Sequence, residues 1–111
     1  MPIIAHDADG RLLFYNAVAE PLIGRPFAEL GEVELHEWYD AFRPTDEDGS
    51  TLKREDHPMH VARLRQRPSY RRFLFQGLDG LRSRIEGMAF PLLGQCDRHL
   101  GAVGIFWEGH K

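Results

Sequence analysis

Apolar residues fall in short runs at the two ends of the chain and thin out in the middle. Residues 3–6, Ile-Ile-Ala-His, and residues 12–15, Leu-Leu-Phe-Tyr, are separated by Asp7-Ala8-Asp9-Gly10. Apolar runs bounded by turn formers predict two strands joined as a hairpin. Asn16 then stands where a helix N-cap is needed. The helix it opens is short, because Pro21 lies within it and Gly24 supplies a C-terminal stop. Pro26 begins another short helical turn ending near Gly31. Residues 35–55 show no clear period, although Trp38, Tyr39 and Phe42 must pack somewhere; Thr45 to Thr51 reads as polar loop. Asp56 is placed to cap a helix with Pro58 in its first turn, running to about Arg67. Val61 and Leu64, three apart, mark its apolar side, and Pro68 stops it. The last third predicts strands over residues 69–76, 81–92 and 100–107. Leu78-Asp79-Gly80 makes a tight turn between the first two, and Gly94 to Arg98 a looser one between the last two.

Two strands, several short helices and three further strands describe an α+β protein with an antiparallel sheet and the helices packed on one face. Two blocks carry a family likeness. The first is Asp7-Ala8-Asp9-Gly10-Arg11-Leu12-Leu13-Phe14-Tyr15-Asn16-Ala17-Val18-Ala19-Glu20 with Leu22-Ile23-Gly24; the second is Asp79-Gly80, Ile85, Phe90-Pro91-Leu92 and Gly101-Ala102-Val103-Gly104-Ile105-Phe106. In order and spacing they resemble the opening and the closing strands of PAS domains. Asp56-His57-Pro58 with Ala62-Arg63-Leu64 resembles the long helix of that family. The resemblance spans nearly the whole chain. It implies a five-stranded antiparallel sheet cupped around a pocket by short helices, as a single domain over residues 1–111, with a sensory or interaction role. It does not fix a ligand, because a fold alone never fixes function.

Strand alternation sends neighbouring side chains to opposite faces. Ile85, Gly87 and Ala89 share one parity against Arg82, Arg84 and Glu86, which puts the first set inward. Phe73 and Phe75 likewise face in against Tyr70, Arg72 and Gln76. In the last strand the family pattern, and not composition, places Ala102, Gly104 and Phe106 inward and Val103, Ile105 and Trp107 outward. Glycine and alanine on adjacent strands leave volume under the helices, while interiors are normally close-packed. Either Phe73, Phe75, Phe106 and Trp38 fill that space or a ligand does. The expected lining is Ile4, His6, Trp38, Val61, Leu64, Phe73, Phe75, Ile85, Gly87, Ala89, Ala102, Gly104 and Phe106. It suits a small apolar, lipid-like or aromatic ligand. The outward parity is also apolar, at Leu74, Met88, Phe90, Val103, Ile105 and Trp107. Such a patch marks an interface. The expectation is a homodimer through this face, or a flanking helix or output domain from a longer parent chain.

The length of 111 residues fits one core. With 42% hydrophobic and 28% charged residues the composition is that of an ordinary globular protein. A net charge of −3 gives no basis for binding a nucleic-acid backbone. The arginines at positions 63, 65, 67, 71 and 72 fit a solvated helix end and strand start. A single cysteine, Cys96, allows no intrachain disulfide and points to a reduced, cytoplasmic setting. No apolar run is long enough for a membrane span, and no signal peptide is visible.

Six histidines raise the question of metal or haem. His57 and His60 lie three apart on the expected helix, and haem-binding PAS domains use a histidine from this helix, for which His60 is the better candidate. Against that, His57 fits the first helical turn and His60 the solvent side. His6, His36, His99 and His110 show no zinc spacing. Flavin-binding members carry an Asn-Cys motif that this chain lacks, so flavin is not expected. Asp46-Glu47-Asp48-Gly49-Ser50 has the composition but not the spacing of a calcium loop. No nucleophile–base constellation and no phosphate loop is present, so no enzymatic activity is expected. A ligand-modulated sensor leads, followed by a ligand-free docking or dimerisation module. A cone-shaped α+β enzyme comes third, for which His6 with an unidentified carboxylate is the one hint.

Overall fold

The computed structural model describes residues 1–109, without the side chains of Leu35, His36 and Asp97. The chain opens with β1 (Ile3–Asp7) and β2 (Leu12–Tyr15). Four helices follow: α1 (Glu20–Ile23), α2 (Phe27–Leu30), α3 (Leu35–Phe42) and α4 (Pro58–Arg65). It closes with β3 (Ser69–Gln76), β4 (Arg82–Leu93) and β5 (His99–Glu108). All pairings are antiparallel, and the strand order is β2-β1-β5-β4-β3. This is the five-stranded sheet with helices on one face that the pattern predicts.

Local chemistry explains most of the boundaries. The Asp7 carboxylate accepts hydrogen bonds from the N–H groups of Asp9 and Arg11, each at 2.9 Å, and so closes the first turn. Asn16 Oδ1 accepts from the N–H of Ala19 at 3.2 Å and of Ile3 at 3.0 Å. The expected cap therefore also ties the helical segment to β1. Gly24 ends α1 with φ 94°, and a Cβ there would lie 2.7 Å from the backbone nitrogen of Asp79. Only glycine meets both demands.

Three expectations shift. The stretch after Gly31, which shows no clear period, contains α3. The cap of α4 is His57 and not Asp56: His57 Nδ1 accepts from the N–H of Met59 at 3.2 Å, while Asp56 sits in a preceding single turn. The helix also stops at Arg65, two residues early, because Gln66 turns left-handed with φ 53°.

The alternation is as expected. On the inner face Ile85, Gly87 and Ala89 of β4 and Ala102, Gly104 and Phe106 of β5 are buried, whereas Val103, Ile105 and Trp107 are half-buried on the outer face. The inner face packs in two clusters. One gathers Leu12, Tyr15, Ile23, Trp38, Phe42, Phe73, Phe75, Ile85 and Phe106. The other sets Met59 and Ala62 of α4 on Ala89 and Ala102. Two hydrogen bonds, the first buried and the second part-buried, bind helices to the first hairpin. Trp38 Nε1 donates to the carbonyl of Gly10 at 3.0 Å, and an Arg63 guanidinium N–H donates to the carbonyl of Ala8 at 3.1 Å. Each outermost strand receives one bridge from a flanking loop. Val33 pairs with Leu12 of β2, and Thr45 with Leu74 of β3.

Candidate functional site

Between α3, the first turn of α4 and the inner sheet lies a hollow of about 70 Å³. Two of its wall positions, on adjacent strands, are glycines: Gly87 pairs with Phe106 and Gly104 with Ala89. Gly87 and Gly104 offer backbone where a side chain would otherwise stand. Met59 leans into that gap from α4: a Cβ on Gly104 would lie 2.6 Å from Met59 Sδ. Trp38, Phe42, Phe73, Phe75 and Phe106 supply the large rings of the wall and occupy volume under the helices. Their rings interlock, with Phe42 edge-on to Phe75 at 6.0 Å between centroids. The space left over is well below the roughly 150 Å³ of a protein cavity that takes benzene. A lipid-like molecule therefore does not fit without displacement of the wall.

Of the thirteen residues expected to line a pocket, ten reach the hollow: Ile4, His6, Trp38, Phe73, Phe75, Ile85, Gly87, Ala89, Gly104 and Phe106. Three do not. Ala102 is buried in the neighbouring contact with Met59, Ala62 and Ala89. Val61 and Leu64 lie on the wrong side of α4, and Leu64 is 57% exposed. The buried stripe of that helix is Met59, Ala62 and Arg63, so its phase differs from the one the Val61–Leu64 pair suggests. Arg63 buries its stem and delivers its guanidinium to the hairpin carbonyl, which is how a charged residue occupies an inward position. Ile23, Phe42, Pro44, His57, Pro58 and Met59 also line the hollow and were not expected. The Met59–Ala62 pair is spaced like Val61–Leu64, so spacing alone does not choose the phase. Met88 and Ile105 belong to the outward parity but border the hollow as chain neighbours of Gly87 and Gly104.

The polar groups of the wall are two imidazoles. His6 stands 4.8 Å and His57 5.3 Å from Trp38, centroid to centroid. Burial pushes the pKa of each down to about 3; Arg63 adds to this at His6, and His6, His60 and Arg71 add to it at His57. Both rings are therefore neutral at physiological pH. His6 Nε2 is buried and has no hydrogen-bond partner among the described residues. His60 points elsewhere. It is half-buried, engages an Arg63 guanidinium nitrogen at 3.1 Å through Nδ1, and is not part of the hollow's wall. Its pKa is lowered by burial and then by Arg63. His57 thus lines the hollow, and His60, the candidate haem ligand, does not. Among the described residues no group of three or more His, Cys, Asp and Glu side chains is placed to hold a metal, and no helix is long and apolar enough to cross a membrane. His110 and the side chain of His36 lie outside the described residues. Cys96 is exposed in the β4–β5 turn.

The outer sheet face carries a second feature. Cross-strand register sets Ile3, Ile105, Met88 and Tyr70 in one row and Ala5, Val103 and Phe90 in the next. The far end of the face is polar. Glu86 accepts from Trp107 Nε1 at 3.0 Å, from Arg72 Nε at 3.3 Å and from the Tyr70 hydroxyl, and these bonds, the tyrosine's foremost, hold its carboxyl below the usual range. Trp107 is thereby pinned at the rim, stacked on Tyr70. Leu74 is half-buried beyond Arg72.

No family model and no curated protein matches the chain. Solved structures do. A PAS domain from Colwellia psychrerythraea is 20% identical with a TM-score of 0.68, over 96% of this chain and 84% of that one. The fungal blue-light photoreceptor Vivid, as its light-state dimer, is 14% identical with a TM-score of 0.70, over 96% and 76%. The PAS-B domain of Drosophila melanogaster Cycle with bound ethylene glycol is 12% identical with a TM-score of 0.68, over 98% and 100%.

Proposed function

We propose that this chain, whose fold is that of PAS domains, is a one-domain sensory module: a small molecule enters the hollow beneath α4, and the outer sheet face passes the change to a partner. One observation carries this reading. The floor of the hollow is glycine on two adjacent strands, and the side chain standing over it, Met59, is flexible and unbranched. A ligand that displaces the Met59 side chain acts at the first turn of α4, beside the capping bond from the Met59 N–H to His57. Such a ligand shifts the protein only by as much as it prefers the displaced state. The relay runs along β5, where inward Gly104 and Phe106 alternate with outward Ile105 and Trp107. Two neighbours of the same fold lend support: Cycle PAS-B holds ethylene glycol, a molecule of the size the hollow admits, and Vivid forms a dimer in its light state.

A ligand-free docking module is the second reading, favoured by how much of the inner space the aromatic rings already occupy. Native mass spectrometry, followed by solvent extraction of any retained molecule, separates the two. The sensory reading expects a bound small molecule that Gly104→Leu, which fills the floor, drives out. Retention of the ligand by that variant refutes this placement, and a protein that takes up no small molecule leaves docking alone.

A further inference from the structure

The wall of the hollow is apolar except at His6, from β1, and His57, at the entrance to α4. The indole N–H of Trp38, which lies against both rings, is already given to the Gly10 carbonyl and serves neither. His57 accepts a hydrogen bond at Nδ1 and is neutral, so its one proton sits on Nε2 as a donor. His6 Nε2 is buried with no partner among the described residues. Native proteins rarely leave a buried polar atom unmet, since it loses its bond to water and gains nothing. An ion is a poor answer here. The environment that keeps both imidazoles unprotonated penalises any charge brought into it. A pure hydrocarbon leaves the nitrogen as it was.

Resting on the reading of the hollow as a ligand site, we infer that its ligand is a small uncharged molecule bearing one hydroxyl, with its apolar part over Gly87 and Gly104 and its hydroxyl hydrogen-bonded to His6 Nε2. A hydroxyl both donates and accepts, so it suits His6 in either tautomer. It also keeps a lone pair for the N–H of His57. A ring-sized member of this class needs Met59 to swing aside, and a smaller alcohol does not.

Phenol and toluene test this, because they are near-isosteres that differ by hydroxyl against methyl. Both are titrated into the full chain at neutral pH, followed by backbone amide and imidazole nitrogen NMR. Phenol is expected to bind at least tenfold more tightly than toluene and to shift the His6 Nε2 resonance. His6→Phe is expected to erase the preference and His6→Gln, which keeps a polar end, to retain it. Toluene binding as tightly as phenol, with the His6 resonance unmoved, overturns the hydroxyl inference while leaving the ligand site standing. Binding of neither probe, with ethanol also leaving the His6 Nε2 resonance unmoved, overturns both. If His6→Phe does not fold, the unmodified chain and His6→Gln still decide.

Discussion

His57 must keep a lone pair on Nδ1 to hold the first turn of α4, and burial secures this by denying the ring a second proton. Burial likewise denies His6 a second proton, and together the two rings tie stability to acidity. Folded, each ring has its pKa lowered from 6.5 to about 3. Between those values the unfolded chain binds more protons than the folded one, so stability is fully present above the unfolded pKa and is lost as the pH falls through this window. Each ring contributes up to about 1.4 kcal/mol per pH unit there. Urea unfolding at stepped pH from neutral to about 4 is expected to show a steadily falling midpoint; a constant midpoint means that the rings are not buried as described. Gly101 sets a second residue-scale demand. It has φ 141°, and a Cβ on it would lie 2.0 Å from the His6 carbonyl oxygen. Gly101→Ala is expected to cost about 3 kcal/mol or more, read by thermal or chemical unfolding, because strain and a backbone clash add. A loss under about 1 kcal/mol means that β1 and β5 separate more easily than their register implies.

Among the elements, the strands were the most legible. Alternation with a period of two is unambiguous once Ile85, Gly87 and Ala89 are set against Arg84 and Glu86, and burial follows it residue by residue. In β5 composition left the choice of face open, since both parities are apolar, and the family pattern decided it. The helices were less legible because they are short. A helix of two turns shows too few periods to fix its phase, so Val61–Leu64 and Met59–Ala62 were equally good stripes, and the tertiary contact of Met59 with the glycine floor chose between them. His57 as cap was hidden because imidazole is an uncommon capping group beside the more usual Asp56. The end of α4 is its weak point. Gln66 adopts φ 53°, a conformation that costs a side-chain-bearing residue about 1–2 kcal/mol, whereas glycine adopts it freely but loses about 0.5–1 kcal/mol of chain entropy. Gln66→Gly is therefore expected to raise stability by up to about 1 kcal/mol, seen as a higher melting temperature. A lower one means that the Gln66 side chain holds the loop in a way its backbone does not reveal.

For the molecule as a whole, the proposed function assigns the inner and outer faces of one sheet separate tasks. The row Ile3, Ile105, Met88 and Tyr70 lies across four strands, so a partner seated on it touches most of the sheet at once. If that partner is a second copy, Ile105→Glu is expected to turn a dimer into a monomer in sedimentation velocity at tens of micromolar. Its fold is expected to persist, because residue 105 points away from the core. A wild-type chain already monomeric at that concentration removes the self-association reading and leaves a different protein as the partner.

The loop bridges at Val33 and Thr45 have a bearing on this. An open sheet offers its free backbone to any passing strand, which is how edge-to-edge aggregates and fibrils are seeded. Here the outermost strand on each side already spends part of its hydrogen bonding on a loop of its own chain. Growth by adding strands end over end is blunted at both margins, so association is steered towards broad surfaces laid one upon another. Cutting back either loop should be felt first as slow clumping in storage, ahead of any failure of the fold.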